Sequence, residues 1–158
     1  MTTFTDMRTI SFVVHGRPQQ KGSKTSRWAP RKGGGINVWQ VDSNVNARPW
    51  ANLVTDAAMR AARDGRIALI RGAVDVELAF YFKRPKGHYG TGRNAGAVKS
   101  SAPLSMTTTP DIDKLARCAL DALVGVLIAD DSLVVELGLS KQYGEPERME
   151  AQLIELVE

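Results

Sequence analysis

At 158 residues, with 43% hydrophobic and 24% charged side chains, the chain has the length and composition of one globular domain that buries its own core. The longest apolar run near the middle, ALVGVLIA at 122–129, is far too short for a membrane span, and the lone Cys118 excludes an internal disulfide. The net charge of +4 is laid down in blocks: residues 17–32 hold six Lys/Arg and no acid, residues 83–99 hold five and no acid, and residues 130–158 hold eight Asp/Glu against Lys141 and Arg148.

The opening MTTFTDMRT carries no basic cluster followed by an apolar stretch, so no signal peptide is expected and a cytoplasmic location is the default. Residues 1–8 are expected to be disordered. TISFVVHG (9–16) is rich in β-branched and aromatic residues and ends at Gly-Arg-Pro, which reads as a strand. The basic segment that follows ends in three glycines, and INVWQVD (36–42) reads as a short strand, half of a hairpin with the loop before it.

Residues 49–64 show apolar positions at helical spacing (Trp50, Leu53, Val54, Ala57, Ala58, Ala61), with Pro49 suited to the first turn and Gly65 to the stop. AVDVELAFYF (73–82) alternates strictly, so Val74, Val76, Leu78 and Phe80 share a buried face of an antiparallel strand. A loop rich in Gly, Ser and Lys runs over 83–107, and its length inside a small domain points to function or disorder. A helix is expected over 110–124, a turn and strand over 126–140, and a last strand over 149–158. Strands and two main helices without regular alternation predict an α+β, two-layer fold: a single domain over 1–158 with a mixed sheet packed by two helices. Trp39 and Trp50 are assigned to the core, and Trp28 to either core packing or base stacking.

The helix TTPDIDKLARCALDAL (108–123) carries the chemistry. At 100° per residue its apolar set (Ile112, Leu115, Ala116, Ala119, Leu120, Leu123) fills one arc. Asp113, Lys114, Arg117, Cys118 and Asp121 fill the opposite arc, with Asp111 at its edge. One reading is structural: Thr109 caps the helix, Asp111 and Asp113 complement its dipole, and Asp113–Arg117–Asp121 form a surface ladder. The other is a cation cage. The helix climbs roughly 16 Å from Asp113, and residues 125–131 can span about 23 Å, so a reversal at Gly125 can bring Asp131 back beside Asp111 and Asp113. Three carboxylates suit a hard ion such as Mg²⁺ or Mn²⁺, and two acid-free basic loops beside them suit a nucleic acid. Lys21, Lys24, Arg27, Lys83, Arg84, Lys86 and Lys114 are the candidate DNA-binding residues.

The order PDIDKLARCALDALVGVLIADDSLV resembles the signature of the RusA-type Holliday-junction resolvases, and GRPQQKGSK (16–24) resembles that family's N-terminal Gly-x-Pro-x-x-Lys element. The two stretches cover about a fifth of the chain. It implies a RusA-like endonuclease, often phage-encoded, that acts as a homodimer on branched, four-way DNA in recombination and repair. It also implies Mg²⁺ or Mn²⁺ and no organic cofactor or membrane. By position, Asp111, Asp113 and Asp131 match the catalytic metal ligands, and Arg117 stands where the family often has a lysine. Arginine stays protonated and grips phosphate with a fork, so it can stabilise charge but is a poor proton donor. Asp121 would pair with Arg117 or Lys114. A non-catalytic, structure-selective DNA-binding protein remains the rival. A restriction-type nuclease lacks support, because no Asp/Glu-x-Lys follows Pro110-Asp111.

Overall fold

The computed structural model describes residues 8–156. Residues 1–7 of the stretch expected to be disordered lie outside the described residues. The elements run β1 (Thr9–His15), β2 (Lys24–Pro30), β3 (Ile36–Asp42), α1 (Ala47–Gly65), β4 (Val74–Phe82), α2 (Ile112–Leu123), β5 (Val134–Tyr143) and β6 (Arg148–Glu155). No helix among the described residues is long and apolar enough to cross a membrane.

The strict alternation of β4 places it at the centre of a four-stranded sheet ordered β1-β6-β4-β5. It pairs antiparallel with β6, as its pattern predicts, but parallel with β5, because the long excursion through α2 returns the chain in the same direction. Val74, Val76, Leu78, Phe80 and Phe82 are buried on one face, beside Met149, Ala151 and Leu153 of β6 and Ile10 and Val14 of β1. Trp50, Val54, Ala57 and Ala58 of α1 and Leu115, Ala119 and Leu123 of α2 close the same core. The expected α+β fold, a mixed sheet layered by two helices, is what forms. Truncating a fully buried ring such as Phe80 to alanine costs about 3–5 kcal/mol at a site of this kind.

Local details depart from the expectations. Helix α1 keeps Gly65 within its last turn, and Arg66 takes the left-handed position (φ 52°), its N–H bonded to Arg63 O. Helix α2 begins at Ile112, so Asp111 and not Thr109 holds the N-cap position. Cys118, placed on the polar edge by the helical wheel, is buried against α1, with Sγ 3.8 Å from Ala47 O. The apolar arc of α2 is therefore wide enough to meet both the sheet and the neighbouring helix.

The segment between β1 and α1 forms a two-stranded ribbon, β2 paired with β3, joined through Gly33, Gly34 and Gly35, all at positive φ. Among the described residues it belongs to no larger sheet. Trp39, assigned to the core, lies on this ribbon and is 45% exposed, whereas Trp50 is 3% exposed as expected. The long loop after β4 is pinned to the body: the Arg84 guanidinium sits 4.3 Å above the Tyr143 ring and donates to Pro103 O at 2.8 Å, and Lys99 Nζ donates to Gly87 O.

Candidate active site

Asp111 and Asp113 stand at the exposed start of α2, and three separate segments fix the chain there. From the N-terminal basic segment, Gln20 Oε1 accepts the Asp111 N–H at 2.7 Å, and the Lys21 N–H donates to Lys114 O. From β5, Lys141 Nζ donates to Thr108 O at 2.7 Å and Pro110 O at 2.8 Å. From the helix itself, Lys114 Nζ lies 2.6 Å from the Asp111 carboxylate. That hydrogen bond and charge, with the Lys141 ammonium behind them, hold the Asp111 carboxyl below its ordinary value. Asp111 in turn, with Asp113 adding to its field, raises Lys114 above the usual lysine value. The site is thus a pair of carboxylates against a firmly protonated cation.

Asp113 sits in the first helical turn, where negative charge complements the unpaired N–H groups, so the dipole role expected of it also holds. Arg117 is exposed one turn on, and no ion pair forms between it and Asp113 or Asp121 among the described residues. The expected ladder is replaced: Asp121 pairs with Lys21, because the N-terminal segment lies across α2. Lys21 is a brace between two segments as well as a candidate DNA contact.

Asp131 is placed elsewhere in the chain. Gly125 (φ 80°) does reverse the backbone, but the reversal is tight: Gly125 N–H bonds Ile128 O, and the Ile128 N–H reaches back to Leu123 O. Ala129 N–H then bonds Ile70 O, just before β4. Asp131 opens a short 3₁₀ turn that leads into β5, whose far end carries Lys141 back to Pro110. The helix rises roughly 15 Å from Asp113 to Leu123, and the turn that Asp131 opens follows the reversal at that far, C-terminal end. Among the described residues of one chain, no three His, Cys, Asp or Glu side chains are gathered to hold a metal ion. Asp130 caps the turn through the Ser132 N–H at 2.9 Å, and the hydrogen bonds from Ser132 lower its carboxyl's pKa.

The donor chemistry of Asp111 and Asp113 nonetheless fits a hard divalent ion, which takes one or two carboxylates and fills its shell with water and phosphate oxygens. Of the other candidates, Lys24, Arg27 and Lys86 are exposed. Lys83 pairs with Glu145 at 3.6 Å, and Arg84 braces the loop over Tyr143. Two residues that matter to the site's geometry, Gln20 and Lys141, escaped the sequence reading. Gln20 lies in the quoted GRPQQK element, but nothing in its type marks it as a cap for a helix 91 residues away. Lys141 stood out only as a basic residue in an acidic block.

The family profile described as Endodeoxyribonuclease RusA matches residues 14–154. YqaN, an uncharacterized protein of Bacillus subtilis (strain 168), is 28% identical over 150 residues, which is 95% of this chain and 99% of YqaN. The profile match takes in the N-terminal segment, both helices, the Asp130-Asp131 pair and β5 in one span. The chain belongs to the RusA endodeoxyribonuclease family.

Proposed function

We propose that this protein is a metal-dependent endonuclease that resolves four-way DNA junctions in recombination and repair, acting as a homodimer with Mg²⁺ or Mn²⁺. The observation that carries the reading is the Asp111–Asp113 pair, held at an exposed helix start by Gln20, Lys114 and Lys141, in a chain of an endodeoxyribonuclease family.

Asp111 and Asp113 would hold the ion. When bound, it supplies Lewis acidity toward water and the scissile phosphate. The rest of the work falls to the chain. Gln20 and Lys141 fix the backbone from Thr108 to Asp111, so the carboxylates are positioned before substrate arrives. Arg117, exposed beside them, offers a permanent planar cation to the non-bridging oxygens of the phosphate as charge builds there. Lys114, kept protonated by Asp111, adds a second fixed charge and must release Asp111 for that carboxylate to take an ion. Lys24, Arg27 and Lys86 would contact phosphates farther along the arms, so affinity falls steeply with salt.

Asp131 joins this site only if a second copy brings it, since within one chain the length of α2 intervenes. A two-fold dimer in which each start of α2 meets the partner's Asp131 would complete the carboxylate set twice. It would also give the two cuts that symmetric resolution requires. The test compares binding and cutting of a synthetic four-way junction in Mg²⁺ and in EDTA. The proposal expects binding in both and cutting only with the metal. Binding without cutting in either condition identifies a non-catalytic junction binder instead.

A further inference from the structure

The β2–β3 ribbon exposes more aromatic and apolar surface than a ribbon in water has reason to carry. Trp28 is 69% exposed, Val38 68% and Ile36 61%. In the register, Trp28 faces Val38 and Pro30 faces Ile36, so these side chains share one face, while Arg27 and Trp39 face each other on the opposite one. Among the described residues the ribbon joins no other strand, and an unsupported two-stranded hairpin is marginal in water, so its sequence answers to something outside the chain.

Its charge says what that is. Lys24, Arg27, Arg31 and Lys32 lie along it, and its one acid, Asp42, is at the base. Asp42 is spent there: its Oδ1 accepts the N–H groups of Gly22 at 2.9 Å and Asn44 at 2.8 Å, closing the ribbon's root. Gly22 is required at that root, because a Cβ on it would lie 2.3 Å from Asp42 Oδ1. The ribbon is thus a basic arm with tryptophans, rooted beside the segment whose Gln20 and Lys21 brace α2. Cations for phosphate interleaved with an exposed aromatic for a base face is the chemistry of a nucleic-acid contact. A two-stranded ribbon also has the width that the major groove admits.

We propose that the β2–β3 ribbon is the element that distinguishes branched from continuous DNA, with Trp28 stacking on a base left unstacked at the branch point. Arg27, Arg31 and Lys32 hold the phosphates beside that base. A continuous duplex keeps its bases stacked and offers Trp28 nothing but backbone, so Trp28 adds affinity only where an arm boundary frees a base face. This inference rests on the junction-binding reading above and assigns its selectivity to a residue remote from the carboxylates.

The test measures dissociation constants of full-length protein in EDTA for a four-way junction and for a linear duplex of the same arm sequence. It uses wild type, Trp28→Ala and Trp28→Phe, with thermal melting and sedimentation as controls. Trp28→Ala is expected to weaken junction binding about ten-fold or more, the range of one lost base stack, and duplex binding less than about two-fold. Trp28→Phe keeps a ring and is expected to keep most of the preference. A Trp28→Ala protein with undiminished junction preference overturns the inference, as does one that loses both substrates equally. Dissociation into monomers on Trp28→Ala also overturns it, since the ribbon would then be an arm for a second copy. If wild type itself shows no preference for the junction, the junction-binding reading fails, which is a separate outcome.

Discussion

Lys141, in the edge strand β5, places its ammonium 2.8 Å from the carbonyl oxygen of Pro110, the residue before Asp111. With its second bond, to Thr108 O, it ties the sheet to the entry of the helix that carries both carboxylates. Lys141→Met keeps the apolar stem and removes both bonds. A charge-assisted hydrogen bond is worth about 1.5–3 kcal/mol, and these donors are partly exposed, so we expect a stability loss near the low end of that range. The larger expected effect is on kcat, down about ten- to a hundred-fold through misplacement of Asp111 and Asp113, with KM little changed. Lys141→Arg should recover part of it. Steady-state cutting kinetics and a melting curve separate these effects, and unchanged kcat in the Met variant would remove Lys141 from the account.

Asp121 lies on the polar face of α2 but belongs to the brace with Lys21, not to the carboxylate pair. Surface ion pairs contribute about 0–1 kcal/mol. Asp121→Asn is therefore expected to cost no more than that in denaturant unfolding and to keep most of the cutting activity. A loss comparable to that of Asp113→Asn would assign Asp121 to the chemistry.

The separation of Asp131 from Asp113 within one chain gives a complementation test. Asp113→Asn and Asp131→Asn are each expected to abolish cutting alone. Refolded together, they form mixed dimers in which one composite site carries both lesions and the other carries none. Single-strand nicking should then return. If it stays at the level of the separate variants, Asp131 is not shared across subunits.

Burial against Ala47 pushes the Cys118 thiol's pKa above its ordinary value. Above that ordinary value the unfolded chain releases a proton that the folded chain retains, so this group's contribution lowers stability as pH rises through the alkaline range. At pH 8 the native protein should resist alkylation by iodoacetamide and react once unfolded in urea, as mass spectrometry of the modified chain would show. Rapid native labelling would contradict the buried position.

Much of this was legible in the sequence, for reasons that differ by element. The period-two alternation of β4 and the helical spacing in α1 and α2 report burial directly, so the core and the layering followed. That Asp111 and Asp113 stand together at a helix start is legible because one local motif holds them both. Tertiary context decided the rest. Trp39 looks like core in the string INVWQVD, yet among the described residues the strand pairs only with its hairpin partner and is left outside the four-stranded sheet. The reach of residues 125–131 permits a return to the helix start, but the Leu123–Ile128 hydrogen bond uses that length in a tight turn. Gln20, Lys21 and Lys141 act on α2 from segments distant in sequence, and no local pattern announces such contacts.

The central claim is that the Asp111–Asp113 pair performs metal-dependent DNA cutting. Its most direct measurement is the nicking of a labelled synthetic four-way junction in Mg²⁺ by wild type and by Asp113→Asn, each matched for junction binding in EDTA. The account predicts paired cuts by wild type and none above background by the variant, with binding retained. Cutting by Asp113→Asn at the wild-type rate would contradict it.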